Sequence, residues 1–557
     1  MTNRFATVAL ITLVSILGGI VLFVIGLFIM PGVRLFGIRY VSLGGRLTGT
    51  ANEKGEPIAV SISDRLVKKY GQSNSTFSGI VVNCYEIPVE IAFTDDSSRA
   101  YMVQYYENFN GLTTSKDDPT FDVSKDDMGN AVITVTEFKT FIYESSTSER
   151  FIKVFIPLGD IADESKFKKD IIINSTRSEV SFTKKAGESR IPRFDLVEIN
   201  SNGKINYGTK VEANSFTYKT NNSIVIDKDC VKTVDAKNYT LTSNRGSITV
   251  EKESVSTLNA TTDQGTIKFR SATHFTARTN YGKISYAFHE GEETKDKGIT
   301  ISGKTDIVSK SGSVEIKLLG ASNPASIVTT SGNIIIQKMY DGKLVTKRGL
   351  VDVGTARILE VESNTGKVFV KEVSSKIKVN TVRANIYLGQ DKETKVIRNA
   401  DIFTRIGKVQ MYSANGSIKI ETLSSDVNLK NTDSTSINIK CGGKLTATGL
   451  KGNVEIVSEK DVNLTFADLA SGDVNISLGD KCLSAEIDAT ENLRASVNYY
   501  IESAMVYIYE EQDGNLNQLN HGNVMKNEIN ASKKLKVKGT KATVNVYFKD
   551  STQIEEE

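Results

Sequence analysis

Side chains that commonly carry catalysis or bind metals are sparse in this chain of 557 residues. Its three histidines, His274, His289 and His521, share no ligand spacing, so they indicate neither a metal site nor a Ser/His/Asp arrangement. The chain also lacks a Walker loop and a GxGxxG turn on a strand–helix unit. We therefore predict no catalytic, cofactor-binding or metal-binding residue, and we expect the histidines to be exposed single side chains.

The four cysteines, Cys84, Cys230, Cys441 and Cys482, are dispersed and show no CxxC spacing. We expect them to be small buried hydrophobic side chains, because free cysteine is among the most buried residue types. Cys441 and Cys482 are the only two cysteines close enough in sequence that a disulfide between them is kept as an alternative.

One catalytic alternative concerns charged side chains rather than histidines. Some solenoid enzymes cleave acidic polysaccharides with Asp, Lys and Arg gathered on one face. The residues that would form such a cluster here are Asp306, Lys310, Glu315, Lys317, Lys347, Arg348 and Asp352. Alternating charges on any solvated strand face predict the same residues, so the non-enzymatic interpretation is favoured.

A short repeat must position all of these side chains: Ser/Thr-x-x-Gly-x-Val/Ile-x-apolar. Twelve copies match at the glycine and at both apolar positions, with glycines at Gly203, Gly246, Gly265, Gly282, Gly312, Gly332, Gly349, Gly366, Gly407, Gly416, Gly452 and Gly472. A period of about 20 residues is typical of a repeat architecture rather than of an enzyme built around one pocket.

Each copy predicts a strand, a corner and a second strand. After Gly366 the chain alternates polar and apolar residues, which places one strand face toward a core and the other toward water. The glycine fits a corner where a positive φ or a close backbone approach excludes a Cβ. The step from Gly282 to Gly312 is long and indicates a loop around residues 290–297. The step from Gly407 to Gly416 is short and indicates two strands of one layer.

A hydroxyl stands three residues before the glycine in nine copies. These residues are Ser243, Thr262, Thr279, Ser309, Thr329, Thr346, Ser363, Thr404 and Ser413. We interpret them as turn-capping side chains that stack between layers, not as nucleophiles. The pattern as a whole predicts an all-β, single-stack β-solenoid of the β-helix-like kind.

The N-terminus carries a separate signal. Residues 5–33 contain no charge, and residues 5–30 are nearly all Leu, Ile, Val, Phe and Gly, which is long enough for a transmembrane α-helix. The run ends without a small-residue cleavage site, so a retained anchor is favoured over a signal peptide. Ser15, Gly19 and Gly26 share a helix face and would permit weak self-association through the anchor.

The positive-inside rule does not decide the orientation, because Arg4 precedes the span and Arg34, Arg39 and Arg46 follow it. We expect a single-pass protein of the cell membrane with the large β region outside. The alternative is a rod held against the inner membrane face.

The predicted organisation has five parts. They are the anchor (1–34), a polar connector (35–75), an N-terminal β region that leads into the solenoid (76–170), the solenoid repeats (171–485), and a C-terminal cap with an acidic tail (486–557). The chain has 69 basic and 66 acidic residues and a net charge of +3. A nucleic-acid-binding protein is expected to carry a basic stripe. We identify none in the sequence, so nucleic acid is not an expected partner.

The segments Phe151–Leu158 and Asp170–Ser175, followed by the Gly-x-Val/Ile-x-Val/Ile copies, give the chain a family resemblance. It resembles the bacterial family of adhesin-type β-strand-repeat proteins known as domain of unknown function 4097, over roughly residues 75–550. The resemblance implies an anchor followed by a β-helix-like domain at the cell envelope. It implies no catalytic residues.

We therefore predict a membrane-anchored surface protein without catalytic activity, an adhesin or envelope interaction protein whose partner is a surface protein or a glycan. The alternative is a membrane-tethered scaffold or envelope-stress sensor that acts through self-assembly or a signalling partner. A polysaccharide-cleaving β-helix enzyme is the third interpretation.

Overall fold

The structure is a computed structural model. It describes residues 2–29, 34–35, 38–48, 60–61, 78–94, 102–114, 117–137, 141–144, 149–158, 161, 169–287, 298–320, 324–389, 396–430, 432–468, 471–490, 497–512 and 515–549. The chain forms two compact units, Met1–Ser243 and Asn244–Glu557. As predicted, the fold is an all-β solenoid with one N-terminal apolar helix.

The helix α1 spans Thr2–Ile29. Within it, Thr7–Ile25 is long and apolar enough to cross a membrane, and this segment is not buried against the rest of the chain. Its leucine, isoleucine and valine side chains are exposed, with Leu22 at 71%. Length and composition fit either a membrane anchor or a signal sequence.

The first unit contains these strands: β1 (Arg34–Leu35), β2 (Ile38–Thr48), β3 (Val60–Ser61), β4 (Gly79–Asn83), β5 (Val89–Thr94), β6 (Met102–Thr113), β7 (Thr120–Lys125), β8 (Ala131–Thr136), β9 (Phe141–Glu144), β10 (Glu149–Pro157), β11 (Asp170–Asn174), β12 (Val180–Lys184), β13 (Arg193–Asn200), β14 (Ile205–Tyr207), β15 (Val211–Thr220), β16 (Ile224–Ile226) and β17 (Val234–Ser243). One sheet has the order β1-β2-β6-β10-β5-β12-β14 and is mixed. A second, parallel stack joins β8, β4, β11, β13, β15 and β17.

Two features of the first unit differ from the sequence-based prediction. The expected connector contains β2, which pairs with β6 in antiparallel fashion. Parallel stacking also begins earlier than residue 171, because β4 pairs with β11 in the register Ile80↔Ile171. Both differences arise from pairing with strands distant in sequence, which a local pattern does not record.

The second unit contains these strands: β18 (Ile248–Val250), β19 (Val255–Thr262), β20 (Ile267–Phe269), β21 (Ser271–Thr279), β22 (Ile284–Tyr286), β23 (Thr300–Ile301), β24 (Thr305–Ser309), β25 (Val314–Leu319), β26 (Ala325–Thr329), β27 (Ile334–Met339), β28 (Asp341–Thr346), β29 (Val351–Ser363), β30 (Val368–Thr381), β31 (Ile386–Leu388), β32 (Ile397–Thr404), β33 (Val409–Tyr412), β34 (Ala414–Thr422), β35 (Val427–Lys430), β36 (Asp433–Cys441), β37 (Leu445–Lys451), β38 (Asn453–Ser458), β39 (Val462–Asp468), β40 (Val474–Leu478), β41 (Ser484–Thr490), β42 (Val497–Gln512), β43 (Asn515–Lys526), β44 (Lys533–Lys538) and β45 (Thr543–Lys549).

The recurring apolar pairs line the interior of the second unit, as predicted. From Val314 to Val409 the first member of the pair stacks on its equivalent in the next coil, and the same column then continues through residues that do not follow a repeat glycine. The series runs Val314, Ile334, Val351, Val368, Ile386, Val409, Val427, Leu445, Val462, Ala485 and Val544. The pairs after Gly416, Gly452 and Gly472 belong to a second column, which runs Ile418, Ile437, Val454 and Val474. All of these side chains are buried. Each fully buried valine or isoleucine contributes about 1.5–3 kcal/mol relative to an exposed one, so this interior is the main source of stability.

The repeat glycines are of two kinds. In most copies φ is not positive, and the reason for glycine is a close approach between coils. A Cβ on Gly332, for example, would lie 2.6 Å from the carbonyl carbon of Gly312. Gly416 (φ 82°) and Gly452 (φ 80°) instead have left-handed backbone conformations. The twelve copies are therefore not equivalent.

The short step between Gly407 and Gly416 is explained by this difference. Gly407 precedes β33, whereas Gly416 lies within β34, and these are successive strands of one coil with different partners. This confirms the prediction of two strands in one layer. Gly416 sits at a second bend, where the pairing register between β34 and β36 shifts. The loop predicted around residues 290–297 lies outside the described residues.

The C-terminal cap does not follow chain order. After β41 the chain forms β42, which turns back as the antiparallel strand β43. The last coil, β44 and β45, then pairs in parallel on one side with β40 and β41 and on the other side with β42. The C-terminal segment is thus inserted between the preceding coil and the cap strand.

Candidate binding site in the C-terminal cap

The seven charged residues considered for an enzyme do not gather on one side. Asp306 lies on β24 before the corner, Lys310, Lys347 and Arg348 lie at the corner, and Glu315, Lys317 and Asp352 lie on the strands after it. Glu315 and Asp352 occupy the same register position but stand two coils apart, with Ile335 between them. These residues therefore occupy three positions around the coil, whereas the enzyme alternative would place them on one face.

Two of these carboxylates already have cationic partners. Asp306 pairs with Arg278 at 3.3 Å, and Glu315 pairs with Lys283 at 2.6 Å. Partly exposed pairs of this kind are typical of a solvated strand face and contribute little stability.

The repeat hydroxyls form a buried ladder at the corner of the second unit. It runs in register through Thr262, Thr279, Ser309, Thr329, Thr346, Ser363, Thr381, Thr404 and Thr422. Most of these hydroxyls bond to their own turn. Thr329 Oγ1 donates to the Gly332 carbonyl at 2.8 Å, and the Gly349 N–H donates to Thr346 Oγ1 at 2.9 Å. This confirms turn capping, except that Ser413 stands at the second bend and not in the ladder.

At two corners a cysteine occupies the position that Ser or Thr holds in the repeat. The sequence motif did not reveal this equivalence. Cys441 pairs in register with Thr422 and Ser458, and its thiol contacts the carbonyl oxygens of Gly443 and Ser425 at 3.3 and 3.4 Å. Cys84 occupies the position in its coil that Ser175 occupies in the next one, because the preceding residues, Asn83 and Asn174, pair in register.

None of the four cysteines forms a disulfide, and Cys230, Cys441 and Cys482 are buried, whereas Cys84 is half-buried. Burial is the main cause that raises the pKa of the Cys84 thiol to about 12, and the nearby Glu137 carboxylate adds to it. Burial likewise raises the pKa of Cys482 to about 11. Such thiols are poor nucleophiles and poor metal ligands at neutral pH.

The histidines that the structure describes are single side chains. His274 Nδ1 accepts a hydrogen bond from the Lys304 N–H at 3.1 Å, and His521 stacks against Tyr507 with 6.2 Å between ring centroids. His289 lies outside the described residues. Within the described part of the chain, no three His, Cys, Asp or Glu side chains come together as a metal site.

Among the described residues, a groove in the C-terminal cap offers a candidate binding site. It has a volume of about 610 Å³ and is lined by residues of β42, β43 and β44 and by the segment 527–529. On β44, Leu535 and Val537 point into the core, and the alternating lysines Lys534, Lys536 and Lys538 point outward. We call the outward side chains Lys526, Lys534, Lys536, Lys538 and Tyr500 the lysine–tyrosine face.

Strand pairing sets the order of side chains across this face. Lys536 is paired in register with Asn475 of β40 on one side and with Tyr500 of β42 on the other, and Tyr500 is paired with Lys526 of β43. Neighbouring strands lie about 4.8 Å apart, so a row of amide, ammonium, phenol and ammonium groups crosses about 14 Å. Tyr500 is 39% exposed.

The charges of the face are only partly compensated. Lys526 pairs with Glu528 at 2.9 Å, and Lys538 lies 3.6 Å from Glu502. Among the described residues, no carboxylate lies within ion-pair distance of the Lys534 or Lys536 ammonium groups, although the Lys534 backbone N–H donates a hydrogen bond to the Asp473 carboxylate at 3.2 Å. No basic stripe was expected from the sequence, but Lys526, Lys534, Lys536 and Lys538 line one groove of the cap.

The sequence did contain a signal for this site. The run Lys533-Lys534-Leu535-Lys536-Val537-Lys538 alternates lysine with apolar residues, which predicts a strand with one cationic face. The neighbouring positions of Tyr500 and Asn475 could not be found in this way, because they depend on pairing across 36 and 61 residues of sequence.

Comparison with known proteins adds no assignment. No family model matches the chain, and neither a curated protein nor a solved structure matches it. The resemblance to the adhesin-type family therefore rests on the sequence motifs alone.

Proposed function

We propose that this chain is a membrane-anchored cell-surface protein that binds envelope or surface polymers and has no catalytic activity. The observation that carries the proposal is the lysine–tyrosine face, an open groove with uncompensated cations and an exposed aromatic ring. A wide, polar surface of this kind suits extended ligands and weak multivalent contacts rather than a small substrate.

The anchor is the second part of the proposal. The helix α1 exposes apolar side chains along Thr7–Ile25, and this segment is not buried against the described residues of the chain. A lipid bilayer would satisfy this surface, and a helix of this length matches the thickness of the hydrocarbon core. The anchor is retained, and the β region lies outside the cell. The sequence resemblance to adhesin-type envelope proteins supports the same arrangement.

The non-catalytic part rests on the separation of the reactive groups. Glycoside hydrolysis typically uses a pair of Asp or Glu side chains that flank the scissile bond. The candidates for this role are divided among three positions of the coil, and two of the carboxylates are paired with cations.

The cellular location is tested by labelling intact cells that express the full chain. Ser331 is exposed at a corner, and the native cysteines are buried or half-buried. A membrane-impermeant maleimide should label the Ser331→Cys variant in intact cells and leave the native chain unlabelled. Labelling of the variant only after permeabilisation would place the β region inside and overturn the proposal.

The binding and catalytic parts need separate measurements. Cells that express the full chain should adhere to at least one member of a panel of immobilised envelope and host glycans and proteins, and cells without the chain should not. If the cells adhere to none of the panel members, the proposed binding role is contradicted. Turnover of an acidic glycan that disappears in Lys347→Ala or Asp352→Ala would show the enzyme interpretation to be correct instead.

A further inference from the structure

The lysine–tyrosine face has a chemistry that selects among ligands. Two of its four lysines are paired with glutamates, and two are not. The ligand must therefore carry negative charge, but at a lower density than a nucleic-acid backbone, because the glutamates of the face would repel closely spaced phosphates.

The neutral groups of the face favour a hydroxyl-rich ligand. The Asn475 side chain is exposed beside Lys536, and Ser477 is exposed beside Lys538. Amide and hydroxyl groups donate and accept hydrogen bonds to sugar hydroxyls. Tyr500 offers an apolar ring face with a polar tip, on which the C–H face of a sugar can pack. Its hydroxyl donates to Glu502 at 3.2 Å, which fixes the ring beside the groove.

We propose that the lysine–tyrosine face binds an acidic polysaccharide through its carboxylate groups, with Lys534 and Lys536 as the ionic contacts and Tyr500 as the stacking platform. This inference rests on the proposed function and names its ligand class. The outward lysines of β44 recur at every second residue, about 6.7 Å apart, so an extended acidic chain that lies along the strand can contact more than one ammonium group. The groove is open, and the polymer can extend beyond it in both directions.

The test uses the full chain in nanodiscs of neutral lipid and measures binding to immobilised polygalacturonate. Fully methyl-esterified polygalacturonate is the matched ligand control, since it keeps the sugar backbone and lacks the charge. The double variant Lys534→Gln/Lys536→Gln should weaken binding about tenfold. Binding of the native chain should also fall as salt rises. The esterified polymer should not bind.

A matched protein control removes two lysines elsewhere. Lys376 and Lys378 point outward from β30 in the same alternating pattern, and Lys378 lies in register between Glu360 and Asp401, so this pair reports the loss of two lysines on a face that also carries carboxylates. The variant Lys376→Gln/Lys378→Gln should bind polygalacturonate within about twofold of the native chain. Tyr500→Leu should weaken binding by severalfold without changing the slope of the salt dependence. Circular dichroism checks that each variant folds.

Three results would overturn the inference. Equal loss in both lysine variants would indicate diffuse electrostatic attraction with no site. Single-stranded DNA that binds as tightly as polygalacturonate and is unaffected by Tyr500→Leu would indicate a polyphosphate site. Absence of binding to any acidic polymer would exclude the ligand class, and the proposed function would still stand if the surface-labelling and adhesion experiments succeed.

Discussion

The corner glycines make a quantitative prediction about stability. In Gly332→Ala the new methyl group would lie 2.6 Å from the carbonyl carbon of Gly312 and closer still to its oxygen. Carbon atoms pack at about 3.5 Å, so the two coils would need to separate locally by at least about 0.9 Å. Strand pairing on both sides of the corner opposes this, because Thr329 is hydrogen-bonded in register between Ser309 and Thr346. We expect the free energy of unfolding to fall by about 1–3 kcal/mol or more.

The assay is urea unfolding of the full chain in detergent, followed by far-ultraviolet circular dichroism because the chain contains no tryptophan. Ser331→Ala is the matched control one residue away, at an exposed position, and should change stability by less than about 0.5 kcal/mol. Gly187→Ala separates the two roles of glycine. Gly187 has a φ of 89° and no atom near the added methyl group, so only backbone strain of about 1–2 kcal/mol applies. If Gly332→Ala lowers the free energy of unfolding no more than Ser331→Ala does, close stacking of the coils is not the reason for glycine at position 332.

Two further predictions follow from the buried thiols and from the inserted coil. With pKa values raised to about 12 and about 11, Cys84 and Cys482 should not react with Ellman's reagent in the native chain at pH 8. All four thiols should react in urea, because unfolding returns the thiol pKa to about 8.5 and the reactive thiolate then forms as the pH rises. Rapid reaction of Cys84 or Cys482 in the folded chain would contradict their burial. Deletion of residues 533–557 removes both parallel partners of β42, so limited proteolysis should cut the β42–β43 hairpin rapidly. Deletion of residues 551–557 alone should leave it resistant, and equal resistance of both truncations would contradict the inserted position of the last coil.

Much of the fold is local information and could be read from the sequence. The alternation after Gly366 requires one buried and one solvated strand face, and Val368 and Val370 are buried as predicted. The apolar run from residue 5 to 30 predicts a long helix, and α1 has this position. These predictions succeed because side-chain periodicity within a strand or helix does not depend on its neighbours.

Other features depend on which coils are neighbours. The motif of Gly416 resembles that of Gly332, but only the three-dimensional structure distinguishes their roles. Gly416 has a left-handed backbone conformation, whereas Gly332 allows a close approach to Gly312 of the preceding coil. Cys441 has no hydroxyl and escapes the motif, although its register with Thr422 places it in the ladder. The same holds for the candidate site, where Lys536 meets Tyr500 only because the last coil is inserted beneath β42.

The amino-acid sequence by itself determined that the chain forms short strands around tight corners, with an apolar interior and a separate apolar helix. Tertiary structure alone decided the order of the coils in the cap, the separation of the charged residues around the coil, and the assembly of the lysine–tyrosine face. The physical reason is that parallel pairing joins residues many positions apart, and the register between coils is fixed by the packing of all interior side chains together.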